Sequence, residues 1–142
     1  MGKNHATHLF CLLVIGVCGF SQTLVPDTNF EQALIDLGYD SGLLDGRVPT
    51  ANINSISSLD VQAKNISDLT GIEYFVGLNI LNCEDNLLNL LDVIQNLNLT
   101  QLFCGSNTLN SLNISALTNL QILWCANNQL RFLTIMENYL SL

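Results

Sequence analysis

From Leu78 to Leu140 the apolar residues return on a fixed beat. The segment Leu78-Asn-Ile-Leu81-Asn-Cys83-Glu-Asp-Asn86 is followed by Leu99-Thr-Gln-Leu102-Phe-Cys104-Gly-Ser-Asn107. Leu120-Gln-Ile-Leu123-Trp-Cys125-Ala-Asn-Asn128 comes next, and each landmark lies 21 residues after its predecessor. A second apolar set steps by the same 21 residues: Leu88, Leu91 and Val93, then Leu109, Leu112 and Ile114, then Leu130, Leu133 and Ile135. A fixed period of this size marks a solenoid in which every turn of chain repeats one unit. Alternate side chains of a short strand share a side, so Leu81 and Cys83 point inward together and Ile80, Asn82 and Glu84 point outward. Stacking brings Leu102 over Leu81 and Leu123 over Leu102, and each coil then supplies both inner walls of a shared core. Asn86, Asn107 and Asn128 fall in a column, where their amides can bond backbone groups left unpaired as the strand turns away.

Upstream the period changes. Pro26-Asp-Thr28-Asn-Phe30-Glu31 predicts a helix over 28–38, with Thr28 and Glu31 at capping-box spacing. Phe30, Ala33, Leu34 and Leu37 form its apolar stripe, and Gly38 is its stop. A one-faced helix needs a surface, and the open end of the first coil is such a surface. The loop Asp40-Ser-Gly-Leu-Leu-Asp45-Gly46 lacks the spacing of a calcium loop and reads as a turn. Ile53, Ile56, Leu59 and Val61 lead into a divergent first coil. There Leu59 precedes Leu81 by 22 residues but Asn65 precedes Asn86 by 21, which places one displaced residue in the strand turn.

Ahead of the cap, Lys3 and a short apolar run from Leu9 to Val17 end in Gly19-Phe-Ser21. This is the pattern of a secretory signal peptide over residues 1–21, cut after Ser21, and the run is too short to span a bilayer. Cys18 as a lipid-bearing cysteine is the weaker reading, because Val17 before it is not small. The expected organisation is therefore a signal peptide at 1–21, an N-terminal cap at 22–56 and repeats over 57–142, about four coils with the last incomplete. Its C-terminal coil ends without a polar cap. That predicts the opening of a longer array; folding of residues 139–142 under the coil, or self-association through it, are the alternatives.

The residues that carry a resemblance are Val25-Pro-Asp-Thr-Asn-Phe-Glu31, Leu37-Gly-Tyr-Asp40, Asn65-Ile-Ser-Asp-Leu-Thr-Gly-Ile-Glu73 and the L-x-x-L-x-C-x-x-N-x-L units. From about residue 23 onward the chain resembles secreted bacterial leucine-rich-repeat proteins of the internalin type, with short cysteine-containing repeats of the kind often exported by type IX secretion. Many such proteins are longer and end in a sorting domain, which residues 1–142 do not show. Asn86-Leu-Leu88 and Asn107-Thr-Leu109 depart from the Asn-Gln-Leu usual there; Asn128-Gln-Leu130 keeps it. The resemblance implies an α/β leucine-rich-repeat solenoid of short parallel strands with irregular or 3-10 connections. It also implies a secreted or cell-surface interaction protein.

Composition narrows the chemistry. The chain of 142 residues has a net charge of −8, and all twelve acidic residues lie after residue 22, against Arg47, Lys64 and Arg131. Such a balance argues against nucleic acid and anionic membranes as partners. No histidine follows residue 21, so the commonest general base and zinc ligand are missing. There is no Gly-x-Ser-x-Gly elbow and no phosphate loop, and Glu84-Asp85 are neighbours that diverge. No enzyme, cofactor or metal site is expected. Cys83, Cys104 and Cys125 are odd in number and point the same way, as in a buried thiol ladder rather than a disulfide. The sequons at Asn65, Asn98 and Asn113 are expected by chance in an Asn-rich repeat.

The outward strand positions remain. Ile80, Asn82 and Glu84 on one coil are followed by Gln101, Phe103 and Gly105, then by Ile122, Trp124 and Ala126. No core demands an exposed Phe103 under an exposed Trp124, and aromatic side chains dominate binding hot spots. The predicted ligand-binding set is Ile80, Asn82, Glu84, Gln101, Phe103, Ile122 and Trp124, on the concave face, for a protein or glycan. The rival expectation is a structural spacer whose aromatic pair only stabilises the sheet.

Overall fold

The computed structural model describes residues 21–136. Residues 1–20, nearly all of the segment read as a signal peptide, and the C-terminal residues 137–142 lie outside the described residues. The order of elements is β1 (Gln22–Leu24), α1 (Thr28–Asp36), β2 (Arg47–Pro49), α2 (Thr50–Ile53), β3 (Ser58–Asp60), a 3-10 turn (Ile72–Tyr74), β4 (Ile80–Asn82), β5 (Gln101–Phe103), β6 (Ser111–Asn113), β7 (Ile122–Trp124) and β8 (Phe132–Thr134). Strands β3, β4, β5 and β7 form one parallel sheet. Its register places Leu59, Leu81, Leu102 and Leu123 in one row. On the second wall β6 pairs with β8, Leu112 opposite Leu133. Leu81, Cys83, Leu102 and Cys104 fill one side of the core, and Leu88, Val93 and Leu109 the other.

The asparagine column bonds coil to coil. The Asn86 carbonyl oxygen accepts from the N–H of Lys64 and of Ile66, 3.1 and 3.0 Å away, and its amide donates to the carbonyls of Val61, Cys83 and Glu84. Asn107 and Asn128 repeat this, accepting from Leu88 and Leu109 of the coil before. Asp85, Ser106 and Asn127 carry the turn ahead of each asparagine at φ 54°, 52° and 55°.

Ala63 holds the equivalent place in the first coil, at φ 54°. Lys64, not Asn65, therefore stands in the column position. The 22-residue step of Leu59 to Leu81 continues through the turn, and Ile66 bonds like Leu88. The extra residue falls between Ile66 and Ile72, after the turn. The expected displacement within the strand turn is thus corrected, because side-chain identity at Asn65 suggested an alignment that the backbone does not follow.

At the cap, three expectations change. The helix stops at Asp36, not at residue 38, with Leu37 as its C-cap and Gly38 in the left-handed region at φ 79°. Its N-cap is Asp27 rather than Thr28, through bonds from Asn29 and Phe30 to Oδ1. Glu31 does not complete a capping box. It is buried and its Oε1 accepts from the N–H of Asp45 and Gly46, 2.7 and 3.0 Å away, which fastens the Gly/Asp loop. Phe30, Ala33 and Leu34 are buried as the stripe requires, while Leu37 is exposed. Phe30 stacks on Phe75 of the first coil, ring centroids 6.2 Å apart. Gly71, at φ 105°, lets the coil approach β1 so closely that a Cβ would stand 2.6 Å from the Leu24 carbonyl oxygen.

Asp27 joins cap to coil. While Oδ1 caps the helix, Oδ2 accepts from the hydroxyl and N–H of Ser67 and from the N–H of Asp68. Burial by itself raises the carboxyl's pKa, but the bonds from Ser67, Phe30 and Asp68 outweigh it together and hold the pKa below the ordinary value. A carboxylate depressed in the fold stabilises it above the unfolded value of about 3.9 and loses that contribution as pH falls through the lower folded value. Asp27→Ala is expected to cost about 1–3 kcal/mol at neutral pH. The difference from the parent should shrink as pH falls below the unfolded value of about 3.9 and the parent's own carboxylate is protonated. Urea melts of both proteins across pH 3–7 measure this; parallel curves at every pH would contradict it.

Candidate binding face on the repeat strands

The strand rises about 3.3 Å per residue and alternates its side chains, so burial of Leu81 and Leu102 turns their neighbours outward. Asn82, Phe103 and Trp124 stand in one row across β4, β5 and β7, and Ile80, Gln101 and Ile122 in the row beside it. Ile80, Asn82, Glu84, Gln101 and Phe103 are half-buried. Ile122 and Trp124 are 45% and 54% exposed. All seven predicted residues thus come together on one surface.

The register extends both rows to residues that the sequence reading omitted. Ser58 lies beside Ile80, and Asp60 beside Asn82. Gln62 follows: its amide donates to Asp85 at 2.9 Å, and its carbonyl oxygen accepts from Asn82 at 3.3 Å. The signal was available, since the step from Leu59 to Leu81 carries Asp60 onto Asn82.

Gly105 departs from the expected outward column, for it is buried. A Cβ on it would stand 2.9 Å from Glu84 Oε1 and 2.9 Å from both Cδ1 and Nε1 of Trp124. The indole from one neighbouring coil and the carboxylate from the other close over the glycine. Gly105 is the floor of this part of the face, a role that follows from having no side chain.

Behind the face, Cys83 and Cys104 are buried, Cys125 is half-buried, and all three are free thiols. Cys83 N–H bonds the Phe103 carbonyl and Cys104 N–H that of Trp124, so the three stand in register. Burial pushes the Cys104 thiol up to about 12, and the neighbouring Cys125 and Glu84 add to the rise. The Cys83 thiol is raised well above its ordinary value, by burial first and then by Cys104 and Glu84. Both act as apolar wall residues, because the reactive thiolate is suppressed.

Two surface depressions lie elsewhere. One of about 430 Å³ is bordered by Asn79, Asn98, Thr100 and Asn119. The other, of about 680 Å³, is bordered by Asp68, Glu73, Asp92 and Leu90. Neither includes any of the seven residues. Among the described residues no group of three or more Cys, His, Asp or Glu is placed to hold a metal, and no helix is long and apolar enough to cross a membrane.

Short parallel strands in register, two apolar walls and an asparagine column bonded from coil to coil define a leucine-rich-repeat solenoid. The chain is similar to the functional domain of InlJ from Listeria monocytogenes, which includes a cysteine ladder. The TM-score is 0.68 and the identity 30%, over 79% of this chain and 28% of that one. It shares its fold with an internalin, inlF, from Listeria monocytogenes strain 4b F2365, at a TM-score of 0.65 and 22% identity over 81% of this chain and 38% of that one. The chain thus spans well under half the length of either structure. No protein-family profile matches the chain, and no curated protein matches it in sequence.

Proposed function

We propose that this chain is a non-catalytic interaction module of the secreted or cell-surface kind, and that it binds a protein or glycan ligand through the strand face. The observation that carries this reading is the register of Asn82, Phe103 and Trp124. It sets an exposed tryptophan beside a half-exposed phenylalanine where the core asks for neither. Rigid aromatic side chains give a large contact area at low entropic cost and concentrate at hot spots. The face also differs from coil to coil, Ser58, Ile80, Gln101, Ile122 in one row and Asp60, Asn82, Phe103, Trp124 in the next. A spacer has no use for that variation. In this reading residues 1–21 act as a signal peptide that directs export and is then cut off.

The experiment is to screen the chain against immobilised extracellular proteins and a glycan array, then repeat each hit with Phe103→Ala and Trp124→Ala. Each substitution is expected to weaken binding by about 30-fold, the size of a hot-spot loss of about 2 kcal/mol, with a melting curve close to the parent's. Hits that survive both substitutions unchanged would place the site off this face.

A further inference from the structure

Glu84, Gly105 and Trp124 come from three successive coils and converge on one point. The Glu84 carboxylate and the pyrrole edge of Trp124 each lie 2.9 Å from the position that a Gly105 Cβ would take. The two groups are therefore no farther apart than the sum of those contacts. The backbone of Glu84 is engaged, its N–H with Asn82 and its carbonyl with Asn86 and Ala63; among the described residues neither its carboxylate nor the indole N–H of Trp124 bonds the protein. Among the described residues no cation neutralises this region. Lys64 pairs with Asp36 at 3.8 Å, Arg47 lies in the cap strand β2, and Arg131 bonds Asn110 beside the second wall. Asp60 and Asp85 add negative charge close by, Asp60 in the row of Asn82 and Asp85 directly after Glu84.

Resting on the strand-face reading above, we propose that the juxtaposed Glu84 carboxylate and Trp124 indole receive an arginine side chain of a partner protein. A guanidinium is planar. It can lie on an indole face while its N–H groups donate to a carboxylate, and it sheds water more easily than an ammonium does. Gly105 makes the arrangement possible, because any larger residue would part the two recognising groups. The acidic net charge of the chain steers a basic segment toward the face. The partner class is then a protein segment with a basic residue next to apolar ones, the latter meeting Phe103 and Ile122.

Trp124 is the only tryptophan of the chain, so its fluorescence reports on this site alone. The full chain is titrated at low ionic strength with acetyl-Val-Arg-Val-amide, with the same peptide carrying citrulline in place of arginine, and with maltotriose. The expected result is a saturable change with the arginine peptide, at least about tenfold stronger than with citrulline. It should weaken as salt is raised, and vanish in Glu84→Gln. Gly105→Ala should abolish it as well, with the melting curve kept, since Gly105 is not among the glycines at positive φ. Equal responses to arginine and citrulline, or a response indifferent to Glu84→Gln, would overturn the cation assignment and leave the strand face standing. A response to maltotriose alone, or to none of the probes, would overturn it too. The strand-face reading itself fails only in the screen with Phe103→Ala and Trp124→Ala.

Discussion

Asn86→Ala is expected to destabilise the solenoid by about 3 kcal/mol, as orphaned backbone groups each cost about 1–3 kcal/mol when buried. The residue is 5% exposed and its side chain serves five backbone groups in two coils. Of these, the N–H groups of Lys64 and Ile66 and the carbonyl of Val61 have no other partner among the described residues. Cys83 O keeps the amide of Asn107, and Glu84 O keeps the N–H of Ala63. Lys64 is exposed and water can replace its loss, whereas Ile66 is fully buried. Against a total stability of roughly 5–15 kcal/mol this is a large fraction, and a urea melt measures it. Asn86→Asp separates the two halves of the amide. The carboxylate still accepts from Lys64 and Ile66 but faces three carbonyls without a proton to give. Its folded pKa is then raised, and stability is lost as pH rises above the unfolded value of about 3.9. That is the opposite sign to Asp27. A variant no less stable at pH 7 than at pH 4 would refute the role assigned to the donors.

Leu102→Ala is expected to cost about 3–4 kcal/mol, within the usual range for a buried leucine cut to alanine. Leu102 is fully buried between coils on both sides, paired in register with Leu81 and Leu123. Leu123 occupies the same place in the next coil, yet it is half-buried. Leu123→Ala should therefore cost only about 1–2 kcal/mol, since less apolar surface returns to water. In a solenoid each coil contacts only its neighbours, so stability is roughly a sum of coil and interface terms. The two substitutions sample an internal coil and the last one described. Urea unfolding of both, read by far-UV dichroism, tests the gradient. Equal losses would mean that Leu123 is covered as fully as Leu102.

The seven residues proposed for binding were legible in the sequence because a strand alternates with period two. The 21-residue step then carries one coil onto the next, so knowing that Leu81 is inside fixes Asn82, Phe103 and Trp124 outside. The first coil was legible only in part. Asn65 has the right chemistry for the column but the wrong place, and Lys64 shows that backbone phase outranks residue type. The 22-residue step from Leu59 to Leu81 already carried Asp60 onto Asn82 and Gln62 onto Glu84, so both were legible and were passed over.

What the sequence determined by itself is whatever is repeated: the class of fold, the two inner walls, the asparagine column and the thiol ladder. Periodicity encodes these because each coil meets a copy of itself, and one unit's pattern is enough to specify the contact. The tertiary structure decided what occurs only once. It gave the helix cap to Asp27 and sent Glu31 to the Gly/Asp loop, since contacts between unlike segments leave no period to detect. It likewise turned Gly105 into a floor under Trp124 and Glu84. A glycine's lack of a side chain has meaning only when two neighbours from other coils arrive to use the space.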